Sequence, residues 1–203
     1  MIQRADKTTL LLFALIVLII MIISFQYTPI FWFSYTNLLG IGIIFAFFFG
    51  NLMNKQSLPR SLFIGIPIGV IGYFTAISIY NILAYISPVA FQNVKELLEI
   101  YSPTAIWQYA ALLIVIVLGE EMIWRVYLQQ ELKKMVSKKW AVLISAIHFG
   151  LPLLICGFYI GAIAAFLSGI IFGGLYEWLK SLPIVFIAHI TMVIFLFLLF
   201  PLT

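Results

Sequence analysis

Long apolar runs, separated by short basic segments, constrain this chain more than any other feature of its sequence. The first run extends from Leu10 to Phe25 and, with Thr8 and Thr9, is long enough to cross a bilayer. Hydrophobic residues make up 65% of the 203 residues and charged residues only 9%. A soluble domain has about 25% charged residues. The chain is therefore expected to be a polytopic membrane protein.

The apolar runs predict an all-α membrane helix bundle of about seven transmembrane helices. We treat residues 1–203 as a single integral membrane domain. The segment Ser87–Pro103 is amphipathic and is expected to lie on the outer surface. The sequence Gly150-Leu151-Pro152 is expected to bend or break the fifth helix, or to open a re-entrant segment. The predicted spans are about 10–25, 37–53, 61–86, 104–128, a fifth beginning at 140, then 157–179 and 181–202.

The distribution of basic residues predicts the orientation of the bundle. Counted from a cytoplasmic N-terminus, only Lys95 falls on the outer side, and Arg125 lies within the membrane. This asymmetry fits the positive-inside rule and predicts a cytoplasmic N-terminus and an outer C-terminus. We therefore expect a multi-pass cell-membrane protein, in a bacterial plasma membrane, with no nucleic-acid partner. The remaining basic residues are Arg4, Lys7, Lys55, Arg60, Lys133, Lys134, Lys138, Lys139 and Lys180.

Several conspicuous residues have simple structural interpretations. Glu177, beside Trp178, is expected to be an interfacial residue at the cytoplasmic end of the sixth helix. The single cysteine, Cys156, lies in an apolar run and is interpreted as a small packing residue. An aromatic group between the first two spans is expected to form an interfacial belt. It consists of Tyr27, Phe31, Trp32, Phe33 and Tyr35.

Three ionisable residues interrupt the fourth helix. A charge inside a membrane helix costs roughly 2.5 to 3.5 kcal/mol, so such residues usually have a function. Glu121 and Arg125 are four residues apart and share a helical face, which predicts a structural or substrate-positioning ion pair. Glu120 points about 100° away and is free to face another helix.

Two histidines are predicted to lie at the same depth as Glu120. Glu120 precedes the polar edge at Gln129 by nine residues, and His148 and His189 follow Lys139 and Lys180 by nine residues. At 1.5 Å per residue, each group is roughly 13 to 14 Å from the cytoplasmic edge. Glu120 is a candidate general base, with His148 orienting water and His189 donating to developing negative charge. The same three residues are equally a candidate set for a divalent metal such as zinc, which the Glu/His mechanism does not require.

The C-terminal half, about 104–203, resembles the CPBP family of CAAX proteases and bacteriocin-processing or immunity proteins, also called Abi. Its Glu-Glu-x-x-x-Arg motif is matched by Glu120-Glu121-Met122-Ile123-Trp124-Arg125. The run Trp140 to His148 resembles the second motif, usually Phe-x-x-x-His, with Ile144 at the Phe position. The segment Leu175 to His189 resembles the third motif.

The resemblance implies roles for the three candidate residues. It assigns water activation to Glu120 and His148, and oxyanion support to His189. The family usually has Asn or Asp four residues after the second histidine, whereas this chain has Val193. Loss of one oxyanion donor typically lowers the rate about 10²- to 10³-fold. Thr191 is nearby but faces elsewhere on an ideal helix.

The resemblance implies an intramembrane endopeptidase, or metalloprotease, of CAAX-protease type. It would hydrolyse a lipidated or membrane-embedded peptide, or a lipoprotein, near the cytoplasmic leaflet. One alternative is acyl transfer or another lipoprotein-modifying role in the same cavity, since Val193 changes the oxyanion position. Another is a non-enzymatic bacteriocin-immunity role, in which the chain binds a membrane-protein partner. Membrane lipid is an expected partner in every case.

Overall fold

The computed structural model describes residues 7–201 and confirms the polytopic all-α bundle. Six of its helices are long and apolar enough to cross a membrane. Arg4 and Asp6, at the predicted cytoplasmic N-terminus, and Leu202, at the predicted end of the last span, lie outside the described residues. The helices are α1 (Lys7–Gln26), α2 (Phe31–Phe49), α3 (Leu58–Ile86), α4 (Pro88–Tyr101), α5 (106–132), α6 (Lys138–Ile155), α7 (Tyr159–Leu179) and α8 (Leu182–Ile194).

Helix α5 carries the charged motif and is the remaining predicted span. Its backbone is helical throughout, but its hydrogen bonding alternates between α and π. The π-helical stretches are Ala111–Ile116 and Met122–Leu128, and the α-helical segment Val117–Glu121 lies between them. Short π-helical segments within α-helices are rare and occur frequently at functional sites. Both glutamates therefore lie on a locally irregular part of the bundle.

Two helix boundaries differ from those predicted. Helix α2 begins at Phe31, after a short 3₁₀ turn, rather than near Asn37. Helix α6 continues through Pro152 to Ile155 without a break or a re-entrant turn. The chain turns instead at Gly157, whose φ of 89° lies in the left-handed region that glycine adopts without strain.

Hydrogen bonds between loops define two ends of the bundle. At one end, the loop after α2 is joined to the loop after α7 by Lys55 N–H donating to Lys180 O (2.9 Å). This basic end also includes the connection at residues 133–137 between α5 and α6, because Lys133 Nζ lies 2.8 Å from Glu177 Oε1 near the end of α7. At the other end, Asn93 of α4 donates to Gly157 O (2.8 Å). The positive-inside rule predicts that the basic end is cytoplasmic, and the α4 end is accordingly called the outer end.

Helix α5 packs closely against α2 beside the charged motif. A Cβ added at Gly119 would lie 2.6 Å from the Cβ of Leu39, so only glycine permits this approach. Gly65 and Gly69 allow a similar approach of α3 to α8, as the glycine pair predicts. A Cβ at Gly69, for example, would overlap the backbone oxygen of Ala188. The small residues thus bring α2 next to Glu120 and fix α8, which carries His189.

Candidate active site

Glu120 is held by residues from two other helices. Tyr35 Oη of α2 donates a 2.7 Å hydrogen bond to Oε1 of Glu120. His189 Nε2 of α8 lies 3.7 Å from the other carboxylate oxygen, Oε2. That distance is too long for a direct hydrogen bond, but it lets one small molecule contact both groups. The carboxylate is therefore oriented by the tyrosine and has one oxygen directed toward an imidazole.

Glu121 links His189 to Arg125 inside the bundle. His189 Nδ1 lies 2.7 Å from Oε1 of Glu121, and Arg125 Nε lies 3.2 Å from Oε2. Glu121 and Arg125 are both buried, and the guanidinium also lies over the Phe149 and Phe172 rings at 5.5 and 5.6 Å. The predicted Glu121–Arg125 pair is thus present. Glu121 of this pair also contacts Nδ1 of His189. The imidazole is thereby held with Nε2 facing Glu120.

His148 lies apart from this cluster. Its Nε2–H donates a 3.0 Å hydrogen bond to Ala14 O of α1. Its ring packs against Trp124, with the two ring centroids 5.3 Å apart. The remaining nitrogen, Nδ1, is buried and has no hydrogen-bond partner among the described residues. Glu120 and His189, which were predicted to lie at one depth, do lie close together. His148 was predicted to join them but faces α1 instead.

The donor set does not fit a metal. A zinc ion requires ligand atoms that converge to about 2.0 to 2.2 Å from one point. His148 Nε2 is bonded to a backbone carbonyl instead of facing Glu120 and His189. Within residues 7–201, no group of three His, Cys, Asp or Glu side chains is placed to hold a metal ion.

An aromatic cavity of about 210 Å³ reaches Glu120. Its wall near the carboxylate includes Tyr35, and its far wall includes Leu97 and Tyr101 of α4 and Ser102 of the following linker. These α4 residues belong to the outer end of the bundle. The sequence predicts a site near the basic side, but this cavity extends from Glu120 toward the opposite end. The other lining residues are Met21, Phe25, Phe31, Trp32, Leu98, Pro103, Leu112, Ile116, Phe149, Leu153 and Phe197.

Val193 is buried on α8 and is not among the described residues that line this cavity. It is one helical turn from His189. In this chain, the position at which the family usually carries Asn or Asp is therefore occupied by a buried apolar side chain.

Tyr35 is the site residue that the sequence interpretation missed. The predicted interfacial belt is wrong for Phe31, Trp32 and Tyr35, which are buried, whereas Tyr27 and Phe33 are exposed. The reason is that α2 begins at Phe31 rather than after the aromatic group, so these side chains face the core. Within α2, the spacing of four between Phe31 and Tyr35 was a signal that one helical face carries both rings.

Glu177 forms a second polar cluster, at the basic end. It is 5% exposed, so it is more deeply buried than an interfacial residue. Its carboxylate accepts hydrogen bonds from Lys133 (2.8 Å) and Lys180 (2.6 Å) and from the amides of Gln129 (3.1 Å) and Gln130 (2.8 Å). This cluster joins the ends of α5 and α7 and is remote from Glu120.

A comparison against protein-family models matches the part of the chain that carries these residues. Residues 102–195 match the Rce1-like family, described as type II CAAX prenyl endopeptidase Rce1-like. The match covers slightly less than half of the chain and confirms the resemblance to CPBP intramembrane proteases. This Rce1-like region extends from the end of α4 through α8 and contains Glu120, Glu121, Arg125, His148 and His189. Comparison with curated proteins and with solved structures finds no significant match.

Proposed function

We propose that the chain is an intramembrane endopeptidase in which Glu120 and His189 act together on a peptide bond. The observation that carries this proposal is the 3.7 Å approach of His189 Nε2 to Glu120 Oε2, at the end of an aromatic cavity. The Rce1-like match favours peptide hydrolysis over acyl transfer or a purely structural role. The substrate would be a lipidated or membrane-embedded peptide in a bacterial plasma membrane.

Glu120 is the proposed general base. Its Oε2 would accept a proton from a water molecule as the water oxygen bonds to the peptide carbonyl carbon. The C–N bond would then break as the same proton passes to the leaving amine. Tyr35 supports this role by occupying Oε1, which leaves Oε2 to face the reacting groups.

His189 is the proposed oxyanion donor. Glu121 Oε1 lies 2.7 Å from Nδ1 and accepts its hydrogen bond. In the proposed reaction the imidazole carries a proton on each nitrogen. Nε2–H is then available to donate to the negative charge that develops on the carbonyl oxygen. The resemblance assigns His148 a share in water activation, but its bond to Ala14 O favours a positioning role for α1 and α6.

Cleavage of membrane-peptide substrates by the purified chain tests this assignment. Glu120→Gln and His189→Gln should each lower kcat by at least about 10²-fold, the usual effect of losing such a group. His148→Gln should lower it less, because the residue does not contact Glu120. Equal losses of kcat in the His148 and His189 variants would support the water-activating role that the resemblance implies for His148. Unchanged cleavage by Glu120→Gln would refute the proposal.

A substitution in the cavity provides a separate control for the site. Leu112 lines the cavity, so Leu112→Trp should block substrate while leaving the Glu120–His189 pair intact. Leu112→Met is the matched control because it preserves the side-chain volume. Cleavage that survives Leu112→Trp would mean that the substrate does not occupy this cavity.

A further inference from the structure

A groove between α6 and α7 opens at the basic end of the bundle, separate from the aromatic cavity. It has a volume of about 800 Å³. Val142 and Leu143 form its α6 wall, and Ile170 and Gly174 form its α7 wall. Its rim consists of Lys138, Lys139, Glu177, Trp178 and Lys180.

The groove is a local opening between two helices that otherwise pack closely. A Cβ added at Gly169 would lie 2.8 Å from Ala146 Cα of α6, and one added at Gly173 would lie 3.1 Å from Val142 Cγ1 of α6. A Cβ added at Gly174 meets nothing within 4 Å. Gly174 therefore leaves space for a ligand where the neighbouring glycines provide helix contacts.

The rim has an excess of positive charge. Glu177 is the carboxylate in the groove, and it accepts hydrogen bonds from Lys180 and from Lys133 behind the rim. Lys138 lies 4.0 Å from this carboxylate, at the limit of an ion pair. Lys139 is exposed and has no ion-pair partner among residues 7–201. At least two of the rim lysines are thus available to an anion.

The depth of the groove suits one class of ligand. Trp178 of the rim and Trp140, which follows Lys139 in the sequence, are 79% and 59% exposed, as expected of side chains at a membrane–water interface. The rim is therefore at headgroup level, and the apolar walls continue into the hydrocarbon region. Basic pockets between transmembrane helices on the cytoplasmic side favour anionic lipid headgroups.

We propose that this groove binds one anionic phospholipid. Its phosphate would lie among Lys138, Lys139 and Lys180, and an acyl chain would follow Val142, Ile170 and Gly174. The positive rim selects an anionic headgroup over a zwitterionic one, and the apolar walls select a lipid over free phosphate. The site is independent of the Glu120 cavity.

Native mass spectrometry of the purified full chain tests this proposal. The chain is titrated with phosphatidylglycerol and, separately, with phosphatidylcholine of the same acyl chains. One phosphatidylglycerol should bind more tightly than the rest and more tightly than phosphatidylcholine. Removing one lysine near an anionic headgroup lowers the affinity about five-fold. The double variant Lys138→Gln/Lys139→Gln should therefore weaken binding roughly 25-fold.

Two matched controls separate groove binding from general charge and from folding. Lys55→Gln removes an exposed lysine from the same end but outside the groove, and it should leave the tight site unchanged. Gly174→Phe should fill the groove and abolish tight binding, whereas Gly174→Ala should retain it. Thermal unfolding of each variant verifies that it is folded. Equal effects of Lys55→Gln and Lys139→Gln, unchanged binding in Gly174→Phe, or equal binding of phosphatidylcholine would overturn the proposal.

Discussion

His189 Nδ1 lies 2.7 Å from Glu121 Oε1, so the second glutamate of the motif orients the imidazole that faces the first. The Glu121–Arg125 pair is consequently part of the site's framework as well as a neutralised buried charge. The adjacent carboxylates have different surroundings, because Glu121 is buried in the core and Glu120 lines the aromatic cavity.

Loss of the Glu121 charge should destabilise the bundle. Arg125 is 1% exposed, and Glu121→Gln would leave its buried charge without the carboxylate that contacts it. Breaking a buried ion pair costs about 3–5 kcal/mol, and glutamine still accepts the hydrogen bond from His189. Thermal or denaturant unfolding of the purified variant measures this loss.

The control for that measurement is Glu99→Gln on the surface of α4. Its partner Lys95 lies 3.6 Å away, and both side chains are largely exposed. Such a pair contributes at most about 1 kcal/mol. Similar stabilities for Glu121→Gln and Glu99→Gln would contradict the structural role of Glu121.

Tyr35→Phe should reduce catalysis while leaving substrate binding intact. The substitution removes the hydrogen bond to Glu120 but keeps the ring in the cavity wall. A hydrogen bond to a charged group contributes about 1.5–3 kcal/mol, which corresponds to a ten-fold or larger decrease in kcat. Peptide cleavage assays should find lower kcat at similar KM.

Tyr101→Phe is the matched control for Tyr35. Tyr101 lines the same cavity, but its hydroxyl donates to Phe25 O and does not contact Glu120. Burial raises the pKa of Tyr101 to about 12, so this donor remains protonated at physiological pH. An equal loss of kcat in both variants would mean that Tyr35 acts through the cavity wall rather than through Glu120.

The aromatic cavity should be accessible from the side opposite the lysines. Ser102→Cys, in a Cys156→Ser background, places a thiol at the cavity wall, and Lys55→Cys places one at the basic end. An impermeant maleimide added to intact cells should modify the first thiol. The second should react only after the membrane is permeabilised. The reverse pattern would show that the cavity opens to the cytoplasm.

Val193→Asn should lower stability without raising activity. Val193 is buried and does not line the cavity, so an amide there is expected to lose about 1–3 kcal/mol without contacting substrate. Val193→Thr is a milder control because its hydroxyl can donate to the carbonyl four residues earlier. Unfolding and cleavage are measured on the same preparations. A ten-fold gain in kcat for Val193→Asn would instead identify position 193 as part of the oxyanion site.

The sequence alone determined the membrane class, the order of helices and the Glu121–Arg125 pair. These features follow from local patterns, because apolar run length sets a span and a spacing of four sets a shared face. The equal nine-residue spacings also predicted that Glu120 and His189 lie at one depth in the membrane. That prediction placed the polar edge of the fourth helix at Gln129. In the structure, however, Gln129 is buried against Glu177.

Only the tertiary structure decided which groups at that level meet. Rotation of α6 directs His148 toward Ala14, and the early start of α2 brings Tyr35 to Glu120. The direction of the cavity likewise depends on α4 and on the packing of α2 against Gly119. Helical periodicity specifies positions along and around one helix, whereas the rotation of each helix relative to its neighbours is set by side-chain packing between them.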